Sequence, residues 1–201
     1  MNKVITIGRE FGSGGRELGR RLAEELGIEY YDKEIIAAIS EKTSMSQEYV
    51  QEVLEGKPHT LYPITIAQSM FIADNFNFQH EQTIYLAQSE IIRELAQKSS
   101  CVIVGRCADF ILKDIKPYRI FVYADMDSRI KRCAARNTDA QKHLTEKDFK
   151  KQIQSIDKNR AKYYSFYTGN KWGDKSNYDL CINTTDLVIK DIVPVIAKIF
   201  K

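Results

Sequence analysis

The run Gly12-Ser13-Gly14-Gly15-Arg16-Glu17 is the part of this 201-residue chain whose residue types and spacing speak most directly of chemistry. It follows a β-branched stretch at residues 4–7 and opens into a helix with apolar residues at Leu18, Leu22, Ala23 and Leu26. Strand, glycine turn and helix together aim backbone N–H groups and a positive helix end at an anion, above all a phosphate. Glycines let the backbone approach such a group closely and take positive φ. Gly12, Ser13, Gly14, Gly15 and Arg16 are therefore candidate ligands for donor phosphates. The familiar GxxxxGK pattern followed by Ser or Thr is altered, because Arg16-Glu17 stands where Lys-Ser/Thr is expected.

The run Cys101-Val102-Ile103-Val104-Gly105-Arg106-Cys107-Ala108-Asp109 repeats the strand-turn-helix logic. Arg106 and Asp109 fall where a strand releases its chain, and in open α/β sheets ligands bind at that edge. A guanidinium there can grip phosphate bidentately, and a carboxylate can accept from a base amino group or a ribose hydroxyl. Asp32 and Lys33 follow the second strand and belong to the same edge. Arg129, Arg132 and Arg136 are spaced by three and four, which puts them on one helical face. Arg136 fits a solvated face equally well. Further on, Asp157 and Arg160 are three residues apart and share a helical face, so the carboxylate is placed to orient the guanidinium. Aromatics and two glycines (Tyr163, Tyr164, Phe166, Tyr167, Gly169, Trp172, Gly173) follow, a composition suited to a lid over residues 157–173.

These residues need a scaffold, and the chain supplies one. Apolar runs at residues 4–7, 28–31, 101–104, 120–123 and 178–182 predict five short strands with helical patterns between them. That alternation implies a mostly parallel sheet. Gly27 is placed to cap the first helix, and Asp32 to cap the next, whose buried face carries Ile35, Ile36 and Ile39. Ser46 precedes another helix, expected to end at Gly56. Residues 57–80 are the least regular, broken by Pro58 and Pro63, and read either as part of a flap spanning 43–80 or as an excursion packed by its own aromatics. Helical spacing resumes over 82–98 and again over 187–200, where Pro194 predicts a kink or break.

Composition narrows the class. With 43% hydrophobic and 28% charged residues, the chain suits one globular domain over residues 1–201. A net charge of +3 is too mild to argue for a nucleic-acid polymer. No apolar run approaches the roughly 20 residues needed to span a bilayer, and the early first strand leaves no expected room for a signal peptide. A cytoplasmic protein is expected. The four cysteines form no CxxC pair and the histidines do not cluster with them, so buried reduced thiols are expected and no metal centre.

Taken together, the stretches ITIGREFGSGGRELGRRLAEELG, YYDKEII, CVIVGRCADFIL, IDKNRAKYY and YDLCINT resemble the cytidylate kinase-like family of bacterial P-loop kinases. Asp32, Gly105-Arg106 and Asp157–Arg160 are similar, in the same order, to that family's acidic residue after the second strand, its Gly-Arg-Asp element and its lid Asp-x-x-Arg. Asp109 is offset from this pattern, because Cys107 follows Arg106 directly. An ungapped match puts Gly15 in the loop lysine's slot, and a one-residue shift puts Arg16 there. The resemblance implies a P-loop NTPase-type α/β fold with five mostly parallel strands, a helical flap and a lid. It also implies ATP- and Mg²⁺-dependent phosphoryl transfer to a nucleoside monophosphate such as CMP. Gly12 to Glu17 and Arg132 would hold the donor, with Mg²⁺ bound mainly through phosphates and water. Asp32, Lys33, Arg106 and Asp109 would hold the acceptor, and Arg16, Asp157 and Arg160 would act on the transferring group. Two other readings stay open: a nucleotide-binding module that has lost catalysis, and a kinase of another small metabolite.

Overall fold

The computed structural model describes residues 2–55, 68–136 and 144–201. Five strands, β1 (Val4–Arg9), β2 (Glu29–Tyr31), β3 (Cys101–Val104), β4 (Tyr118–Tyr123) and β5 (Leu180–Asn183), form one sheet in the order β2-β3-β1-β4-β5. Every pairing is parallel, so the expected mostly parallel sheet is wholly so. Parallel strands need helical crossovers, and those helices cover both faces.

The inner strands β1 and β3 alternate their side chains between two cores, and β4 adds to the first. Ile5, Ile7, Val102, Val104, Ile120 and Val122 face α1 (Gly15–Leu26) and α8 (Ile189–Ala197). Val4, Cys101 and Ile103 face the opposite layer. That layer contains α2 (Glu34–Thr43), α3 (Gln47–Glu55), α4 (Gln68–Lys98) and the short α5 (Ala108–Ile111). Two further helices, α6 (Met126–Ala135) and α7 (Glu146–Thr168), pack together, and Tyr163 and Tyr164 of α7 join the second core.

The local signals explain most element ends. Gly27 caps α1 in a left-handed conformation, and its N–H donates to Ala23 and Glu24. Ser46 Oγ accepts from the Tyr49 amide at the start of α3. Thr145 and Asp148 form a reciprocal capping box on α7, which stops at left-handed Gly169. The expected lid stretch from Asp157 to Thr168 is the second half of this helix. Helix α8 continues through Pro194. Pro194 lies on the exposed face, where water can satisfy the carbonyl it leaves without a donor.

Three expectations need correction. Helix α4 starts at Gln68, well before residue 82. Weak helix formers such as Asn75 and Asn77 propagate readily from an established helix, because nucleation is paid only once. Asp32 does not cap α2; the cap position belongs to Lys33, and the Asp32 carboxylate is taken by arginines. Buried thiols hold for Cys101 and Cys107, whereas Cys133 is half-buried and Cys181 exposed. Gly56, Pro58, His59, Pro63 and His143 lie outside the described residues.

Candidate functional site

The carboxyl ends of β1, β2 and β3 and the helix starts beyond them converge on one cluster of arginines. Strand β1 runs straight into the glycine loop, and Gly14 (φ +85°) turns the chain into α1. Ser13 is buried: its hydroxyl donates to the Glu10 carbonyl at 2.9 Å and accepts from the Gly15 amide at 3.4 Å. The Ser13 carbonyl in turn accepts from Thr184 Oγ1 at 2.7 Å. The loop is thereby fixed from within and from β5.

A second clamp comes from α6 and α7. Asp157 Oδ1 accepts from the Phe11 amide at 2.8 Å, and its Oδ2 accepts from Arg129 Nη2. Arg129 Nε also donates to the Phe11 carbonyl at 2.7 Å, and Nη1 pairs with Glu10 at 3.2 Å. Asp157 therefore does not ion-pair with Arg160; it positions the loop. The pair is largely shielded, with side chains 6% and 17% exposed. Asp157→Ala leaves Arg129 with Glu10 alone and the Phe11 amide without its acceptor, and is expected to cost about 3 kcal/mol, the low end for breaking a shielded pair. A drop of roughly 10 °C in Tm follows at this chain length. Differential scanning calorimetry checks it, and an unchanged Tm would remove the clamp.

Arg16 Nε meets Asp32 Oδ2 at 2.6 Å, and Arg9 Nη2 lies 3.9 Å from Oδ1 of the same buried carboxylate. Arg160 Nη1 donates to the Arg9 carbonyl at 3.3 Å, and its guanidinium lies over the Phe11 ring at 5.5 Å. Arg106 Nη2 is 3.7 Å from Glu55, and its side chain is only 5% exposed. Gly105, Arg106 and Cys107 all have positive φ (75°, 60° and 52°), and such strain in non-glycine residues clusters at functional sites. Burial lowers the Arg9, Arg106 and Arg160 guanidinium pKa values, and the neighbouring arginines add to this at Arg9.

Two cavities open beside this cluster. A cleft of about 590 Å³ runs from Gly12, Gly14, Gly15 and Arg16 to Arg132 and Arg136 on one side, and to Lys33, Gln47 and Gln51 on the other. A narrow recess of about 50 Å³ lies beyond, lined by Arg106, Asp109, Tyr163, Tyr164, Trp172 and Tyr178. Arg9, Glu55 and Arg160 line both, and so mark the junction. Among the described residues, Arg106 Nε and Nη2 and the Tyr163 hydroxyl are buried without a hydrogen-bond partner. Asp109 accepts from the Tyr164 hydroxyl at 2.6 Å, and burial raises its carboxyl pKa.

The remaining expected residues sit around the cleft. Glu17 accepts from Arg21 at 3.0 Å and from Arg136 at 2.6 Å, so it is a neutralised carboxylate beside the loop. Arg132 donates to the Thr184 carbonyl and, at 3.1 Å, to that of Leu187, holding the chain after β5 against the cleft. Lys33 is exposed on the rim. Sequence reading missed Arg9 and Glu55, and took Tyr163 for a lid aromatic where the structure makes it a wall of the recess. Arg9 alone had a visible signal, as a charge at the last strand position before the glycine loop.

The family model described as the cytidylate kinase-like family matches residues 4–186. A protein named cytidylate kinase from Methanopyrus kandleri is 26% identical over 195 residues, covering 92% of this chain and 86% of its own. Another of that name from Staphylothermus marinus is 26% identical over 196 residues, covering 97% and 94%. The crystal structure of an uncharacterized protein from Eubacterium ventriosum matches with TM-score 0.67 and 30% identity, covering 98% of each chain. Shikimate kinase from Bacteroides thetaiotaomicron shares the fold at TM-score 0.57 and 15% identity, again covering 98% of each. With its all-parallel five-stranded sheet and glycine loop, the chain belongs to the cytidylate kinase-like family of P-loop kinase fold.

Proposed function

We propose that this protein transfers the γ-phosphoryl group of ATP to a small anionic acceptor, a nucleoside monophosphate of the CMP kind. The observation that carries the reading is the recess, lined by Arg106 and Tyr163, both of which carry buried polar atoms with no hydrogen-bond partner among the described residues. Buried donors without partners are costly, and a cation so placed favours an anion. About 50 Å³ suits a phosphate or carboxylate rather than a nucleoside, so the acceptor's anionic end enters here and its larger part lies in the cleft. The names of the two cytidylate kinase relatives favour phosphate over carboxylate.

The donor lies along the glycine loop, where Gly12, Gly14 and Gly15 present backbone to its phosphates and Arg132 and Arg136 bound the far end. Asp32 holds Arg16 at the rim, and Lys33 adds charge there. Arg160 stands where donor and acceptor meet and neutralises charge on the transferring group. Such reactions need positioning and charge neutralisation more than covalent chemistry. Mg²⁺ would enter as part of the Mg²⁺–ATP substrate and would neutralise phosphate charge there; among the described residues no three His, Cys, Asp or Glu side chains gather as a metal site of their own. Glu17, offset by Arg21 and Arg136, would repel the phosphates less than a bare carboxylate. A nucleotide donor and a small anionic acceptor support a cytoplasmic location.

An ADP-release assay across nucleoside monophosphates and small carboxylate acceptors tests the proposal. Turnover with a pyrimidine monophosphate is expected; turnover only with a carboxylate acceptor would replace the acceptor class. Arg16→Ala is expected to weaken ATP binding by about 1.5 kcal/mol, the low end for a charge-assisted hydrogen bond, since Asp32 already holds part of its guanidinium. Calorimetry showing unchanged affinity would leave Arg16 as a partner of Asp32 only.

A further inference from the structure

The glycine loop lacks the lysine that normally reaches the β- and γ-phosphates, yet a cation already occupies the adjoining space. The Arg9 side chain, 10% exposed, leaves the end of β1 and passes directly over Gly15. A Cβ built on Gly15 would lie 2.5 Å from Arg9 Cβ and 3.2 Å from its Cγ, so no side chain fits there while residue 9 carries one. At the far end, a Cβ on Gly105 would lie 1.7 Å from Arg9 Nη1, so the guanidinium rests on the backbone of the β3 turn. Two glycines thus clear one path for a single arginine.

That path ends at the junction of the cleft and the recess, which Arg9 lines on both sides. Its surroundings are over-supplied with positive charge: Arg16, Arg106 and Arg160 stand close, against the carboxylates of Asp32 and Glu55. Among the described residues the nearest carboxylate oxygen, Asp32 Oδ1, is 3.9 Å away and also accepts from Arg16 Nη2 at 3.5 Å. A guanidinium held among others with so little compensation is a poor structural strut and a good anion ligand.

We infer that Arg9 supplies, from the strand end, the phosphate-binding cation that Gly15 cannot, and that it contacts the transferring γ-phosphoryl group of the donor. The inference rests on the phosphotransfer reading above, and it deepens it by exchanging the two loop positions: cation at residue 9, glycine at residue 15. Because the guanidinium lies at the junction rather than along the cleft, its contact distinguishes a nucleoside triphosphate from the diphosphate.

Calorimetric titration of wild-type protein and Arg9→Met with Mg²⁺–ATP and with Mg²⁺–ADP tests it without any need for turnover. Methionine keeps the apolar stem and removes the charge, and the unliganded variant is expected to melt no lower than wild type. ATP affinity should fall about 10- to 100-fold, the scale of a charge-assisted contact, with a much smaller change for ADP. Equal losses for both nucleotides, or none, in the folded variant would overturn the assignment. Should Arg9→Met not fold, the exchanged variant Arg9→Gly/Gly15→Lys decides: it removes the 2.5 Å conflict and leaves only a 3.2 Å approach to Val122 Cβ. Retained preference for ATP over ADP supports the exchange; loss of that preference overturns it. Failure of the wild-type protein to bind either nucleotide would instead overturn the phosphotransfer reading itself, and Arg9's role with it.

Discussion

Replacing Arg160 with alanine is expected to lower kcat by about 10³-fold or more, while ATP affinity changes little. The guanidinium is carried by α7, whose next turn buries Tyr163 and Tyr164 in the core, so its position is set before any ligand arrives. Its contacts are one hydrogen bond to the Arg9 carbonyl and the face of Phe11, and no carboxylate of the described residues lies within ion-pair distance. A charge left so lightly engaged at the junction is available to the group in flight, where stabilisation acts mostly in the transition state. If Arg160 instead only pins α7 to the loop, Arg160→Ala should lose thermal stability and keep turnover. Steady-state kinetics and a melting curve on the same preparation separate the two outcomes. Near-wild-type kcat in a folded variant would remove Arg160 from the mechanism.

Arg106→Gln should reduce kcat/KM for the acceptor by about 10- to 100-fold, expressed mainly in KM, and leave ATP binding intact. Arg106 lines the recess, and two of its guanidinium nitrogens have no hydrogen-bond partner among the described residues. Removing it withdraws a cation that the folded protein does not need for packing, so the unliganded variant is expected to hold its Tm. Glu55, at 3.7 Å, is half-buried and can turn to solvent once its partner is gone. Collapse of ATP affinity with acceptor binding preserved would show that donor and acceptor subsites are reversed.

The fold was legible because its signals are local and periodic. Short β-branched runs alternating with amphipathic helices leave few arrangements other than a parallel sheet covered on both faces. Positions 8 and 105, glycines at the ends of β1 and β3, mark the ligand edge in the sequence as they do in space. Pairings across the site were less legible. Asp157 and Arg160 are helical neighbours, which suggested that one orients the other, but α7 turns Asp157 toward Phe11 and Arg129. Those partners are 146 and 28 residues away along the chain, and no spacing rule reaches them. Arg9 was passed over for a related reason: in sequence it is one basic residue among 30 Lys and Arg. Its weight comes from the geometry of Gly15 and Gly105, the second of which lies nearly a hundred positions on.

The most direct measurement follows the phosphoryl group itself. Wild-type protein is incubated with γ-labelled ATP, Mg²⁺ and CMP, and the labelled products are separated. Label recovered in CDP, saturating with both substrates and lost in Arg160→Ala, is the expected result. Label appearing only as inorganic phosphate, or none leaving ATP with CMP or any other monophosphate, would contradict transfer across the Arg9–Arg160 junction and leave a protein that binds nucleotide without passing it on.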